Sequence, residues 1–315
     1  MDRLAAGETL LLDGGTGSEL QRRGADVLKG ASARLKAWSA TANIEFADVV
    51  GQVHQDYLRV GADIIISNNF CTNPSRLGTI GQRDRWEEYA QAAGRIAIDA
   101  RDAGNPEAYV AGGMAPPSSL KSDVEQMGVE AFRKEFADHA ALLAALGVDV
   151  ILAEYLGCIE DSVAAVDACA QAELPVFLGV RHIDRDGRMQ YGESLEELAV
   201  ALKGHPVDAV LLMCSNPEAI SAGLPVLVDA FDGPAGAYPN IGYNPTGPID
   251  NRPMLTNQRP SHGPDIFQLG DYSPSRLAEF ALEWKGMGAR IIGGCCATGP
   301  EHIMAMSPVV KGDTS

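Results

Sequence analysis

The chain has 315 residues, 46% of them hydrophobic and 21% charged, so it can bury a full core and does not have the composition of a disordered polypeptide. Lys and Arg total 25 against 42 Asp and Glu, and the formal charge of −17 repels phosphate backbones and anionic lipid; neither nucleic acid nor a membrane is expected as a partner. The opening stretch carries Asp2, Arg3 and Glu8, and no apolar run approaches the ~20 residues that cross a bilayer, so a soluble, cytoplasmic protein is expected.

Short, nearly continuous apolar runs predict eight strands over 9–13, 62–70, 108–113, 148–154, 174–181, 207–214, 238–243 and 289–295, as strands buried on both faces read. Helical spacing lies between them, first in Phe46, Val49, Val50, Val53, Tyr57 and Val60, then over 89–103, 129–146, 159–172, 195–202, 217–228 and 274–287. Gly61 and Gly147 stop a helix directly before the next strand. Strict alternation requires a parallel sheet, and eight units without a linker close into a single-domain (β/α)8 TIM barrel over 1–315. An open doubly wound sheet is the alternative, but Gly14-Gly15-Thr16-Gly17-Ser18 lacks the GxGxxG spacing and the P-loop lysine. One irregular insertion, 244–270, is rich in Pro, Gly and Asn and reads as a lid or an interface arm, so a homo-oligomer is compatible with the sequence.

Barrels collect their chemistry at the carboxyl ends of the strands. Asp13, Asn69 with Cys71, Glu154 with Tyr155, Arg181, Cys214, Asn240 and the pair Cys295-Cys296 fall there. Cys214 and Cys295-Cys296 end strands two places apart, close enough to converge on one ion. Three thiolates with one position open describe a catalytic Zn2+ site, with Gly293-Gly294 giving the backbone freedom to turn two successive side chains inward. Cys71 and Cys158 are alternative ligands or bystanders, and Cys169 is core filler on a helix. A substrate thiol at the open position loses its proton to the metal, and the absence of a nearby histidine favours this over zinc-water hydrolysis. Glu154 suits an ammonium group and the amides of Gly14, Gly15 and Thr16 suit a carboxylate, which together describe an amino acid; Asp13 orients that turn or caps a helix.

The motifs Asp13-Gly14-Gly15-Thr16-Gly17, Trp38-Ser39-Ala40, Ser67-Asn68-Asn69-Phe70, Ala153-Glu154-Tyr155, Tyr238-Pro239-Asn240 and Gly293-Gly294-Cys295-Cys296 span nearly the whole chain. In this order the sequence resembles the homocysteine S-methyltransferase family. The resemblance implies a (β/α)8 barrel, zinc on Cys214, Cys295 and Cys296, and methyl transfer to the thiolate of homocysteine. It also implies that Glu154 receives the amino group and that Gly14 to Thr16 receive the carboxylate. Substrates are then small molecules, homocysteine and a cationic onium donor such as betaine or S-methylmethionine, with Trp38 and Tyr155 as the aromatic faces for the onium centre. The chain departs from the family pattern at Met213, where an Asn usually precedes the first zinc cysteine, and at Asn68-Asn69, where Asn-Thr is commoner. A relative acting on another thiol, or one that binds zinc and thiol without transfer, is the alternative.

Overall fold

The computed structural model describes residues 1–27, 37–242 and 272–312. Eight strands, Leu10–Leu11 (β1), Ile64–Ile66 (β2), Tyr109–Met114 (β3), Val150–Leu156 (β4), Val176–Arg181 (β5), Ala209–Met213 (β6), Ala235–Tyr238 (β7) and Ile291–Ile292 (β8), form one parallel sheet in the order β1-β8-β7-β6-β5-β4-β3-β2. A bridge between Leu12 and Ile64, with Asp63 N–H donating to the Leu11 carbonyl (2.7 Å) and Asp13 N–H to that of Ile64 (3.0 Å), joins β1 to β2 and closes the ring. The expected barrel is therefore present. The insertion at 244–270 lies outside the described residues.

Alternation along the strands makes two cores. Leu10, Leu12, Ile64, Val150, Leu152, Phe177, Leu211 and Ile291 fill the barrel interior, while Leu11, Ile65, Val110, Ile151, Leu178, Val210 and Leu212 pack outward under the helices. Each fully buried Leu or Ile contributes about 2 kcal/mol, which explains why both faces of the strands are apolar.

The seventh strand is a correction. It was expected over 238–243 and runs over Ala235–Tyr238, because its residues are small and do not read as β-formers. Small residues are required there: a Cβ on Gly236 would lie 2.7 Å from the Ile291 carbonyl and 2.8 Å from Leu211 Cγ, so β6 and β8 leave no room. Pro239 then ends the pairing, and Asn240 sits beyond the strand. Of the described helices outside the expected segments, the longest, Pro300–Lys311, follows β8, with Pro300 in its first turn and Gly312 left-handed at its end.

The amino end of the barrel repeats one device. Asp63, Asp149 and Asp208 each precede a strand, and each accepts an amide from the first two residues of the strand before it, from Leu11 (2.9 Å), Val110 (2.7 Å) and Val176 (2.8 Å). Arg3 and Lys311 also pair with buried Asp63, tying the two ends of the described chain to the barrel floor. Among the described residues, no helix is long and apolar enough to cross a membrane.

Candidate active site

Among the described residues, six non-glycine residues have positive φ, and five of them, Trp38, Tyr155, His182, Cys214 and Ala297, belong to the carboxyl rim. Backbone strain of this kind persists only where the surrounding structure enforces it. Here the loops are laced together: Cys214 N–H donates to the Tyr238 carbonyl (3.1 Å), Cys295 N–H to that of Pro239 (2.8 Å), and Gly294 N–H to that of Asp13 (2.9 Å).

This lacing brings Cys214, Cys295 and Cys296 together, with their sulfur atoms all within 4.8 Å of one another and the latter two 4.0 Å apart. Ligands about 2.3 Å from a tetrahedral ion sit roughly 3.8 Å apart, so the cluster can hold a metal ion with little movement. The thiols of Cys295 and Cys296 donate toward Cys214 and hold it well below the usual thiol range, while their own protons are held more tightly. Gly293 and Gly294 have ordinary φ, so their role is close approach and not the expected backbone freedom. A Cβ on Gly293 would lie 2.6 Å from the Leu12 carbonyl, and one on Gly294 would lie 2.1 Å from Thr298 Cγ2.

Two further expectations about this cluster are corrected. A histidine is present: buried His182 lies within hydrogen-bonding reach of Cys214, and its Nε2 is 3.5 Å from the Tyr155 hydroxyl. Its position on the strained turn after β5 gave no periodic signal. Cys71 and Cys158 are bystanders outside the cluster, their thiols pushed up by burial to about 11 and about 12; Cys169 is buried on its helix as expected. Asn240, taken from sequence as a substrate contact, braces the cluster instead: its Nδ2 donates to Cys214 Sγ (3.5 Å), while its Oδ1 accepts from Gly242 N–H (2.9 Å).

The cluster faces a cleft of about 740 Å³, counted to its open mouth, whose walls include Gly14, Gly15, Thr16, Trp38, Asn68, Phe70, Glu154, Tyr155, Met213 and Tyr238. Burial pushes the Glu154 carboxyl up to about 8, opposed by the Tyr238 hydroxyl, which donates to it at 3.3 Å. Asp13 lies below. Burial raises its carboxyl well above the usual range, the nearby Glu154 charge adds to this, and the Ile66 N–H donated to Oδ2 (2.9 Å) opposes it. Its other oxygen is buried without a partner, and the helix Thr16–Arg22 takes no side-chain cap, so Asp13 is not a helix cap. Of the three amides expected to form a nest, that of Gly15 is taken by the Thr298 carbonyl (2.9 Å), which leaves Gly14 and Thr16.

Asn68, not Asn69, lines the cleft. Asn69 turns inward, donating to Thr72 Oγ1 (3.1 Å) and the Ala90 carbonyl (3.0 Å), while Asn68 is held against Ser39 and Asn43. Trp38 forms the opposite wall, packed so tightly on the turn that a Cβ on Gly17 would lie 2.2 Å from its Nε1. Tyr155 has the Arg181 guanidinium 4.2 Å over its ring, so that face is closed to a second cation. Met213 fills the position beside Cys214 with a thioether, which accepts the Tyr155 N–H (2.9 Å) and the Tyr238 hydroxyl (3.1 Å).

The family model described as homocysteine S-methyltransferase matches residues 10–310. The chain belongs to the homocysteine S-methyltransferase family. It is 27% identical to a homocysteine S-methyltransferase of Escherichia coli strain K12 over 95% of this chain and 94% of that protein, and 27% identical to homocysteine S-methyltransferase 3 of Zea mays over 96% and 90%. The S-methylmethionine–homocysteine S-methyltransferase BHMT2 of Pongo abelii is 26% identical over 98% of this chain and 80% of its own. Among solved structures, the E. coli homocysteine methyltransferase MmuM in its oxidized form superposes with a TM-score of 0.76 at 25% identity, covering 96% of each chain. Against the family pattern, the departure at Met213 thus lies in the wall of the cleft itself.

Proposed function

We propose that this member of the family transfers a methyl group from a small onium donor to the thiolate of homocysteine, giving methionine, with zinc held by Cys214, Cys295 and Cys296. One observation carries the reading: three sulfurs from separate loops meet at the wall of a cleft that also holds a buried carboxyl, Glu154. When bound there, zinc acts as a Lewis acid that keeps a thiol deprotonated at neutral pH.

The chain's own residues do the rest. Among the described residues, Glu154 and Asp13 are two buried carboxyls without an ion-pair partner, and an ammonium group beside them would draw both back toward ionisation. The free amides of Gly14 and Thr16 suit the carboxylate of the same amino acid, and Trp38 offers its ring to the onium centre. In transfer, the sulfur lone pair forms the new S–CH3 bond as the donor's C–N or C–S bond breaks, and that electron pair stays on the departing nitrogen or sulfur. No proton moves in this step, so the protein's task is alignment and exclusion of water. Because all six cysteines are free, we assign the protein to a reducing compartment, the cytoplasm.

Met213 favours a second reading, transfer to a different thiol, because a thioether offers an acceptor but no donor to the substrate. The test is incubation of the zinc-loaded protein with homocysteine and, in turn, betaine and S-methylmethionine, with methionine measured. Methionine with either donor supports the assignment. None with any donor, while another thiol is methylated, moves it to the second reading, and no transfer to any thiol leaves a binding protein.

A further inference from the structure

On the side of the rim away from the cysteines, the loops after β2, β3, β4 and β5 enclose two arginines, Arg76 at 5% and Arg181 at 3% exposure. Arg76 donates from Nε to the Pro116 carbonyl (3.0 Å) and from Nη2 to Ser119 Oγ (2.8 Å), and Arg181 donates from Nη2 to the Ser119 carbonyl (2.6 Å). Ser119 therefore joins both. Among the described residues neither guanidinium has a carboxylate within ion-pair distance, in a chain with 42 acidic side chains. Among the same residues, Arg181 Nε is buried without a hydrogen-bond partner.

A guanidinium presents five N–H donors and does not shed its charge, so two of them buried side by side without an anion are costly to the fold. Burial pulls Arg76 below its ordinary value, and the charge of Arg181 adds to the effect. The nearby acids lie beyond ion-pair distance: Asp123 accepts from Ser118 Oγ (2.8 Å), Glu193 accepts from the Ile159 N–H (3.0 Å) through one oxygen while the other is buried without a partner among the described residues, and Asp161 feels the charges of Lys121 and Arg181 without pairing with either. Lys121 adds a third positive charge, its ammonium 5.7 Å from the Tyr191 ring. Glycine at position 157 keeps the ground before Arg181 clear, since a Cβ there would lie 3.1 Å from its Nε and 3.1 Å from Gln190 Oε1.

The same guanidinium stacks on Tyr155, whose ring is a wall of the cleft. Positive charge thus lies behind the Tyr155 wall of the cleft, while the sulfur cluster lies on the lining itself. A simple onium cation is repelled by that charge, whereas a zwitterion can turn its carboxylate toward it.

We propose that Arg76 and Arg181, bridged by Ser119, form an anion subsite for the carboxylate of the methyl donor, so that the donor is an onium compound tethered to a carboxylate. This rests on the methyltransferase reading above. The carboxylate takes charge-assisted hydrogen bonds from the guanidinium pair, and the onium centre is directed past Tyr155 toward Trp38 and the sulfur cluster.

The test uses the zinc-loaded full chain, Arg181→Gln, Arg181→Lys and Arg76→Gln, with S-methylmethionine and glycine betaine as carboxylate donors and trimethylsulfonium as a donor without one. Steady-state kinetics are paired with calorimetric titration of each compound, and thermal melting verifies folding. Arg181→Gln should raise KM and Kd for the carboxylate donor roughly 10- to 100-fold, with Arg181→Lys recovering part of the loss. KM for homocysteine and the response to trimethylsulfonium should stay within about twofold. Equal losses for all donors, or unchanged affinity for the zwitterions, would overturn the subsite and leave the methyltransferase reading standing. If the wild type makes no methionine with any donor, that reading fails, and calorimetry still decides the subsite: zwitterion binding abolished by Arg181→Gln supports it, and no binding to the wild type overturns it.

Discussion

The two ends of the barrel treat buried charge in opposite ways. At the amino end, buried Asp63 accepts the Leu11 amide and pairs with both Arg3 and Lys311, so its ionised form is satisfied on every side. At the carboxyl end, among the described residues, Asp13 keeps one oxygen without a partner and Arg181 Nε has none, burial pushes the Glu154 carboxyl up to about 8, and five left-handed residues hold the loops. Satisfied charge stabilises a fold, whereas unsatisfied charge beside a cleft is complementary to something the protein binds. The difference separates the residues that hold this barrel together from those that face its substrates.

The sharpest way to break that division is at the sulfur cluster. Cys214→Ser should remove stoichiometric metal, read by elemental analysis, and lower kcat/KM by more than about a thousandfold, roughly 4 kcal/mol, with the barrel still folded. Glu154→Gln should follow with a loss of roughly 100-fold in kcat/KM for homocysteine; an equal loss with respect to the donor would show that Glu154 does not serve the acceptor.

Acid should act on the scaffold through His54 and His139. Burial lowers His54 to about 4 and His139 to about 3, and His54 has no partner on either ring nitrogen. An unfolded chain takes up these protons near pH 6.5, so between that value and about 4 it binds more protons than the folded one. The contribution of these two histidines should be flat above pH 6.5 and should be lost as the pH drops through that window, whereas Glu154, raised to about 8, acts in the opposite sense as the pH rises toward that value. Thermal melting of His54→Leu against the wild type isolates the effect, and parallel curves would reject it. Smallest should be Asp63→Ala, which leaves the buried Leu11 amide unpaired while Arg3 and Lys311 can turn to water: a loss of about 1–2 kcal/mol in stability, with activity per folded molecule unchanged. A drop in that activity would mean that the two ends are coupled.

Much of this was legible in the amino-acid order, and the exceptions have physical reasons. The alternation of apolar runs with helical spacing indicated the barrel, and residues ending β6 and β8 had to meet across one intervening strand, which is why the cysteine trio could be foreseen. The seventh strand was displaced in the reading because Ala235, Gly236 and Ala237 are chosen for lack of volume, a demand set by neighbours distant in sequence. Asn68 and Asn69 were confused because the alternation that assigns faces stops where a strand becomes a loop. Arg76, on the short helix Pro74–Gly78, and His182, on the turn after β5, occupy positions that only the closed ring defines.

The cleft straddles the seam where β1 meets β8, with Gly294 bonded to Asp13 and Gly15 to Thr298 across it. No nascent fragment ending before β8 can own this pocket: the turn that opens the barrel waits for the sulfurs that arrive with its final strand. Ligand capture is thereby postponed until the ring is whole, and methylation becomes a readout of completed folding.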